Sequence, residues 1–250
     1  MATFVLVHGA WHGGWCWRDV KAILRDNGHT VFTPTLTGLG ERSHLLSPDV
    51  DLDTHILDVV NVLEWEELED VILVGHSYGG NVITGVADRA KHRLRHVVYL
   101  DAFVPEDGDS PASHGLKTLN PDVTAAEIDA EIARRRGTAN EQGGAPTHYT
   151  NLFDIPKDRT ELYNWVERRI TVHPVNSQLQ PIRLDNSGSE GLARTYILCA
   201  GSAGETPFMK LAENFRDSSE WRYRELPTGH DAMVTMPKET AELLMEICDD

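Results

Sequence analysis

The sequence predicts an α/β fold in which a mostly parallel sheet carries helices on both faces and a helical insertion interrupts the alternation. Short β-branched apolar runs alternate with stretches of helical period. Strand, turn and helix signals follow one another directly around Ser77. Between residues 111 and 192 the strand signals fade, and helical and polar stretches replace them.

In chain order, Phe4-Val5-Leu6-Val7 is a continuous apolar strand that ends at the Gly9 turn. Trp17 to Asn27 has helical character and stops at Gly28, and Thr30 to Thr33 gives another short strand. From Thr54 onward, Ile56, Val59, Val60 and Leu63 share one helical face, as in an amphipathic surface helix. Val71 to Val74 reads as a strand, Tyr78 to Ala90 as a helix and His96 to Leu100 as a strand. Past Pro105 the texture changes: Glu106 to Ser113 is polar and turn-rich, Ala125 to Arg136 is helical, and Thr138 to Pro146 has few apolar residues. A further helix is expected at Thr160 to Ile170, before the polar stretch Asn176 to Gly191. The sheet resumes at Thr195 to Cys199 and Trp221 to Leu226, and a closing helix runs from about Pro237 to Cys248. The expected division is a core of residues 1–110 and 193–250 with a helical lid inserted at 111–192.

A chain of 250 residues with 40% apolar composition can bury a full core. With 23 basic against 39 acidic side chains, the formal charge of −16 lacks the basic footprint of a nucleic-acid or anionic-membrane binder. No segment approaches the roughly 20 apolar residues that a membrane span requires. Cys16, Cys199 and Cys248 are far apart and form neither a C-x-x-C motif nor a disulfide framework. The run Thr3 to Val7 has no basic flank and no cleavage signature. A cytoplasmic protein is expected, with no nucleic-acid or membrane partner. A homodimer is left open.

The chemistry starts at Gly75-His76-Ser77-Tyr78-Gly79, a G-x-S-x-G pattern that follows one strand and opens a helix, the setting of a nucleophile elbow. A serine hydroxyl is a poor nucleophile until a base takes its proton. Of twelve histidines, His29, His92 and His96 sit at element edges, and His114, His148 and His173 fall in the insertion. His230, in Thr228-Gly229-His230-Asp231, follows the last strand and precedes the closing helix, where such a base belongs. An oxyanion hole needs backbone N–H donors. Tyr78 N–H at the helix start is one candidate, and Ala10 N–H in the glycine-rich loop His8 to Trp15 is the other.

Three segments, Phe4 to Trp15, Val74 to Gly80 and Gly229-His230-Asp231-Ala232-Met233, resemble the α/β-hydrolase group of plant methylesterases, hydroxynitrile lyases and bacterial EstC-like esterases. Leu36 to Arg42 and Tyr99 to Pro105 are most similar to the bacterial branch, whose members include hydrolases of aryl esters, pyrethroids and carbamate fungicides. The resemblance implies no metal or organic cofactor, and the sequence has no metal-spaced cluster.

Lyases of the group carry a threonine and a lysine where this chain has Gly9 and Asp231, which argues against cyanide chemistry. Ser77 excludes a dehalogenase, which needs a carboxylate nucleophile. Relatives usually place the triad acid in the loop Ala200 to Thr206, but Ser202 stands at that position. Asp101, at the end of a sheet strand, and Glu205 are the replacements, and Asp101 is preferred because the sheet anchors it. The expected activity is hydrolysis of a small-molecule ester, with aryl, pyrethroid-like and carbamate esters as the candidate classes, through an acyl-enzyme. An amide or carbamate hydrolase using the same residues, or a hydrolase-like binding protein, are the alternatives.

Overall fold

Parallel strands covered on both sides need apolar residues at every position, and this is how the runs at the sheet centre are written. In the computed structural model, which describes residues 1–147, 151–202 and 204–249, all six residues of the third strand are buried. The strands are β1 (Thr3–Val7), β2 (Thr30–Phe32), β3 (Val71–His76), β4 (Leu94–Leu100), β5 (Gly144–Ala145), β6 (His173–Pro174), β7 (Ala193–Cys199) and β8 (Arg222–Leu226). Six of them form one parallel sheet in the order β2-β1-β3-β4-β7-β8, and β5 and β6 pair antiparallel with each other.

The helices are α1 (Arg18–Asp26), α2 (Leu52–Trp65), α3 (Gly79–Ala90), α4 (Pro111–Leu119), α5 (Ala125–Arg136), α6 (Thr160–Glu167), α7 (Val175–Leu179), α8 (Pro207–Arg216), α9 (Ala232–Thr235) and α10 (Pro237–Glu246). α1 packs on α10, and α2 on α3. Among the described residues no helix is long and apolar enough to cross a membrane.

The structure departs from the sequence expectation in physically readable ways. Helix α4 starts inside the stretch read as turns, because Ser110 caps it through a reciprocal bond with Ser113 and Pro111 takes a first-turn position that needs no N–H. Helix α7 lies at the start of the stretch read as polar coil, and α8 starts at a Thr206 cap that accepts from Met209 N–H. Helix α6 ends at Glu167, short of Ile170. The segment between β4 and β7 contains helices and the small β5–β6 ladder, whose two-residue strands are too short to leave a periodic signal.

Register decides where the chemistry can sit. His76 pairs with Leu100, so the next residues, Ser77 and Asp101, emerge from adjacent strands at the same carboxyl edge. Val7 pairs with Gly75, which brings the His8 loop to that edge, and Cys199 pairs with Leu226, which brings the loop carrying His230. Ligands in open parallel sheets bind along this edge.

Helix α3 is pressed against the chain after β4: a Cβ on Gly80 would lie 2.0 Å from the Phe103 carbonyl oxygen. Gly80→Ala is therefore expected to destabilise the fold by about 1–3 kcal/mol through overpacking. Thermal unfolding should show a lower Tm, by about 2–4 °C for each kcal/mol; an unchanged Tm would contradict this packing.

Candidate active site

Ser77 occupies a strained turn between β3 and α3. Its φ is +55°, a left-handed value that non-glycine residues adopt only when their surroundings impose it. Three backbone bonds hold it there: Ser77 N–H donates to Leu100 C=O at 3.3 Å, and Ser77 C=O accepts from Gly80 N–H at 3.0 Å and Phe103 N–H at 3.2 Å. The Ser77 side chain is half-buried.

Asp101 begins the loop after β4 with φ +43°, and its N–H donates to Ile197 C=O at 2.7 Å. Its Oδ1 accepts from Cys199 N–H at 3.0 Å, and its Oδ2 lies 2.5 Å from His230 Nδ1. Donation from Nδ1 leaves the ring lone pair on Nε2. Burial pushes the Asp101 carboxyl above the ordinary carboxylate value, opposed by the bonds from His230 and Cys199. The His230 ring stacks on Phe208 at a centroid distance of 4.8 Å, and its carbonyl accepts from His76 Nε2–H at 2.9 Å. Glu205, the other carboxylate considered for this position, is exposed and lies 3.7 Å from Lys210 Nζ. Ser202 donates to Asp154 Oδ2 at 2.9 Å, so the segment between β4 and β7 supplies a carboxylate beside the loop Ala200 to Thr206. His148 and Ala203 lie outside the described residues.

The loop after β1 passes against the serine. A Cβ on Gly9 would stand 2.9 Å from the Ser77 Cβ, so only glycine allows this approach. His8 donates Nδ1–H to Gly9 C=O at 2.8 Å and accepts from Leu36 N–H at Nε2 at 3.0 Å. Burial pushes the His8 pKa down to about 3, so the ring stays neutral and keeps that tautomer. With the Gly9 carbonyl held on His8, the N–H of the same peptide, on Ala10, has no acceptor among the described residues. Tyr78 N–H, at the start of α3, has none either.

A cavity of about 390 Å³ opens over His230, between Phe153 and Asp154 from the segment between β4 and β7 and Ser202, Glu205 and Phe208 from the segment after β7. Ser77 is not part of its lining. Sequence reasoning missed two residues here. His12, 1% exposed, lies 3.0 Å from Asp231 Oδ2 through Nε2 and 2.8 Å from Ala10 C=O through Nδ1. Their positions next to the glycine-rich loop and the candidate base were visible; their contact, across 219 residues of chain, was not. Among the described residues no group of three or more histidine, cysteine or carboxylate side chains could hold a metal ion.

Comparison with known proteins agrees with this architecture. The model of the alpha/beta hydrolase family matches residues 4–243. The chain is 47% identical over 244 residues to a carbendazim hydrolyzing esterase of Nocardioides sp. (strain SG-4G), covering 98% of both proteins. It is 36% identical over 252 residues to methylesterase 7 of Arabidopsis thaliana, covering 98% of this chain and 96% of that protein. In structure it is similar to an extracellular alpha/beta-hydrolase from a Paenibacillus species, with a TM-score of 0.79, 23% identity and 98% of each chain covered. Polyneuridine aldehyde esterase superimposes with a TM-score of 0.74 at 17% identity over 99% of each chain, a likeness of fold. With residues 4–243 matched by the family model and nearly the whole length shared with an esterase, the chain belongs to the alpha/beta hydrolase family and is an enzyme of the hydrolase class.

Proposed function

We propose that the protein is a serine hydrolase that cleaves a small ester or carbamate ester through an acyl-enzyme. Ser77 is the nucleophile, His230 the base, Asp101 the acid that orients it, and Ala10 and Tyr78 N–H groups receive the oxyanion. The observation that carries this reading is the 2.5 Å contact of His230 Nδ1 with Asp101, on the strand edge next to a serine held at φ +55°. In the proposed cycle Ser77 Oγ attacks the substrate carbonyl while its proton passes to His230 Nε2. The two N–H groups hold the tetrahedral oxyanion, and collapse expels the alcohol with the proton from His230. Water, deprotonated by His230, then attacks the acyl carbon and releases Ser77. From a carbamate the released acyl part is a carbamic acid, which loses carbon dioxide to leave an amine.

Segment 111–192 acts as the lid over this site, since Phe153 and Asp154 from it line the cavity above His230. The rings of Phe153 and Phe208 suit a flat aromatic substrate, and the relative at 47% identity is named a carbendazim hydrolyzing esterase. Cys16 and Cys199 are buried thiols, and the cysteine spacing forms no disulfide framework, which supports a reducing compartment such as the cytoplasm.

The test is turnover by the purified protein of aryl esters, pyrethroid-type esters and methyl benzimidazole carbamates. Release of the alcohol from at least one of these is expected. Tight binding of all of them without product would instead favour a hydrolase-like binding protein.

A further inference from the structure

His12 is buried beneath the loop that carries Ala10, and both its ring nitrogens face acceptors. Nδ1 lies 2.8 Å from the Ala10 carbonyl oxygen and Nε2 lies 3.0 Å from Asp231 Oδ2. A neutral imidazole carries a single N–H, so it cannot donate to both. Asp231 itself is fully buried, follows His230 directly in the chain, and is the residue before α9. A buried carboxylate requires a countercharge, and His12 is the group positioned to supply it.

We propose that His12 is a positioning residue: as an imidazolium it donates Nδ1–H to Ala10 and Nε2–H to Asp231, tying the oxyanion loop to the loop that carries His230. The proposal rests on the serine-hydrolase reading above. The tie acts on a backbone that needs holding. Trp11 sits at φ +64°, and the peptide linking Ala10 to Trp11 is held at both ends, its C=O by His12 and its N–H by His173 Nδ1 at 3.2 Å. Its neighbour, the peptide linking Gly9 to Ala10, offers the Ala10 N–H, so any rotation of the loop moves that donor off the oxyanion. Asp231 adjoins His230, and one ion pair therefore fixes the distance between base and oxyanion hole.

The surroundings fit one charge pair. Facing His12 are His8 and His76 at the ends of β1 and β3, His173 of β6, and the Cys16 thiol beside Asp231. Burial pushes the three imidazoles down and the thiol up, so all four are neutral. The Trp15 and Phe153 rings close the site at 5.2 and 4.7 Å from the His12 ring. Burial opposes the charge on His12, but Asp231 and the Ala10 carbonyl raise its pKa above the ordinary histidine value. With the folded pKa raised, the stabilisation is complete below the unfolded value of about 6.5. It is lost as pH rises through the folded one. Above that point the remaining ring proton stays on Nε2 with the Asp231 carboxylate, a bare Nδ1 faces the Ala10 carbonyl, the loop is released, and kcat falls on the alkaline side while KM holds.

The experiment combines ¹⁵N NMR of the histidine rings with kinetics of Asp231→Asn. In the wild-type protein at pH 7, both ring nitrogens of His12, assigned by their loss in His12→Asn, are expected to be protonated. Asp231→Asn keeps the side-chain shape and removes the charge. It is expected to lower kcat roughly tenfold or more, a fraction of the loss on removing an oxyanion donor outright, with KM nearly unchanged. Inhibition by a trifluoromethyl ketone, which forms the tetrahedral oxyanion, should weaken by the same factor, and the alkaline limb should move to lower pH. A single unprotonated ring nitrogen on His12 at pH 7 would overturn the proposal even if the variant does not fold. Wild-type kcat and pH profile in a folded Asp231→Asn would also overturn it. Ser77→Ala run alongside separates the two readings: turnover retained there defeats the serine mechanism, while the NMR result still reports on the pair.

Discussion

Ser77→Ala is expected to abolish hydrolysis and labelling by a fluorophosphonate probe, with kcat lower by about 10⁶-fold, the scale of losing the nucleophile in a serine hydrolase. The expectation comes from the elbow. Position 77 is held at φ +55° by bonds from Gly80 and Phe103 and to Leu100, all made by backbone, so alanine can occupy it with the fold unchanged. The substitution removes one oxygen and little else. Residual turnover within a hundredfold of wild type, in a folded variant, would mean that another group attacks the substrate.

Asp101→Asn is the second large effect, with kcat expected to fall by about 10⁴-fold at little change in folding. Asp101 Oδ1 accepts from Cys199 N–H, which an asparagine oxygen reproduces. The asparagine NH₂ group would then face His230 Nδ1, where Oδ2 now stands at 2.5 Å. Two donors cannot face each other there, so the ring must carry its proton on Nε2, the nitrogen assigned above to receive the serine proton. In that tautomer it cannot accept the serine proton. Glu205→Gln should leave kcat close to wild type, because that carboxylate is exposed and its pairing with Lys210 is a surface ion pair of small effect. Circular dichroism and kcat on both variants check the pair of expectations, and the opposite ranking would move the acid to Glu205.

The six sheet strands and the G-x-S-x-G turn were legible in the sequence because both rest on local pattern: apolar runs ending at glycine, with a helix directly after Ser77. Asp101 could be singled out for the same reason, as the first polar residue after an apolar strand. Helices α4 and α8 escaped because their signals are caps at Ser110 and Thr206, which the surrounding polar loops concealed. The bond between Ser202 and Asp154, and the contact of His12 with Asp231, are long-range side-chain meetings that no spacing rule encodes. Ser202 read as a missing acid; in the fold it faces the carboxylate of Asp154, from the segment between β4 and β7.

The proposed mechanism stands on transfer of an acyl group through Ser77. The direct measurement is acid quenching of the enzyme during turnover of an activated aryl ester, followed by mass spectrometry of its peptides. One acyl group per chain is expected, on the peptide containing Ser77 and absent in Ser77→Ala. Steady turnover with no acylated peptide, or acyl found on a different residue, would contradict it.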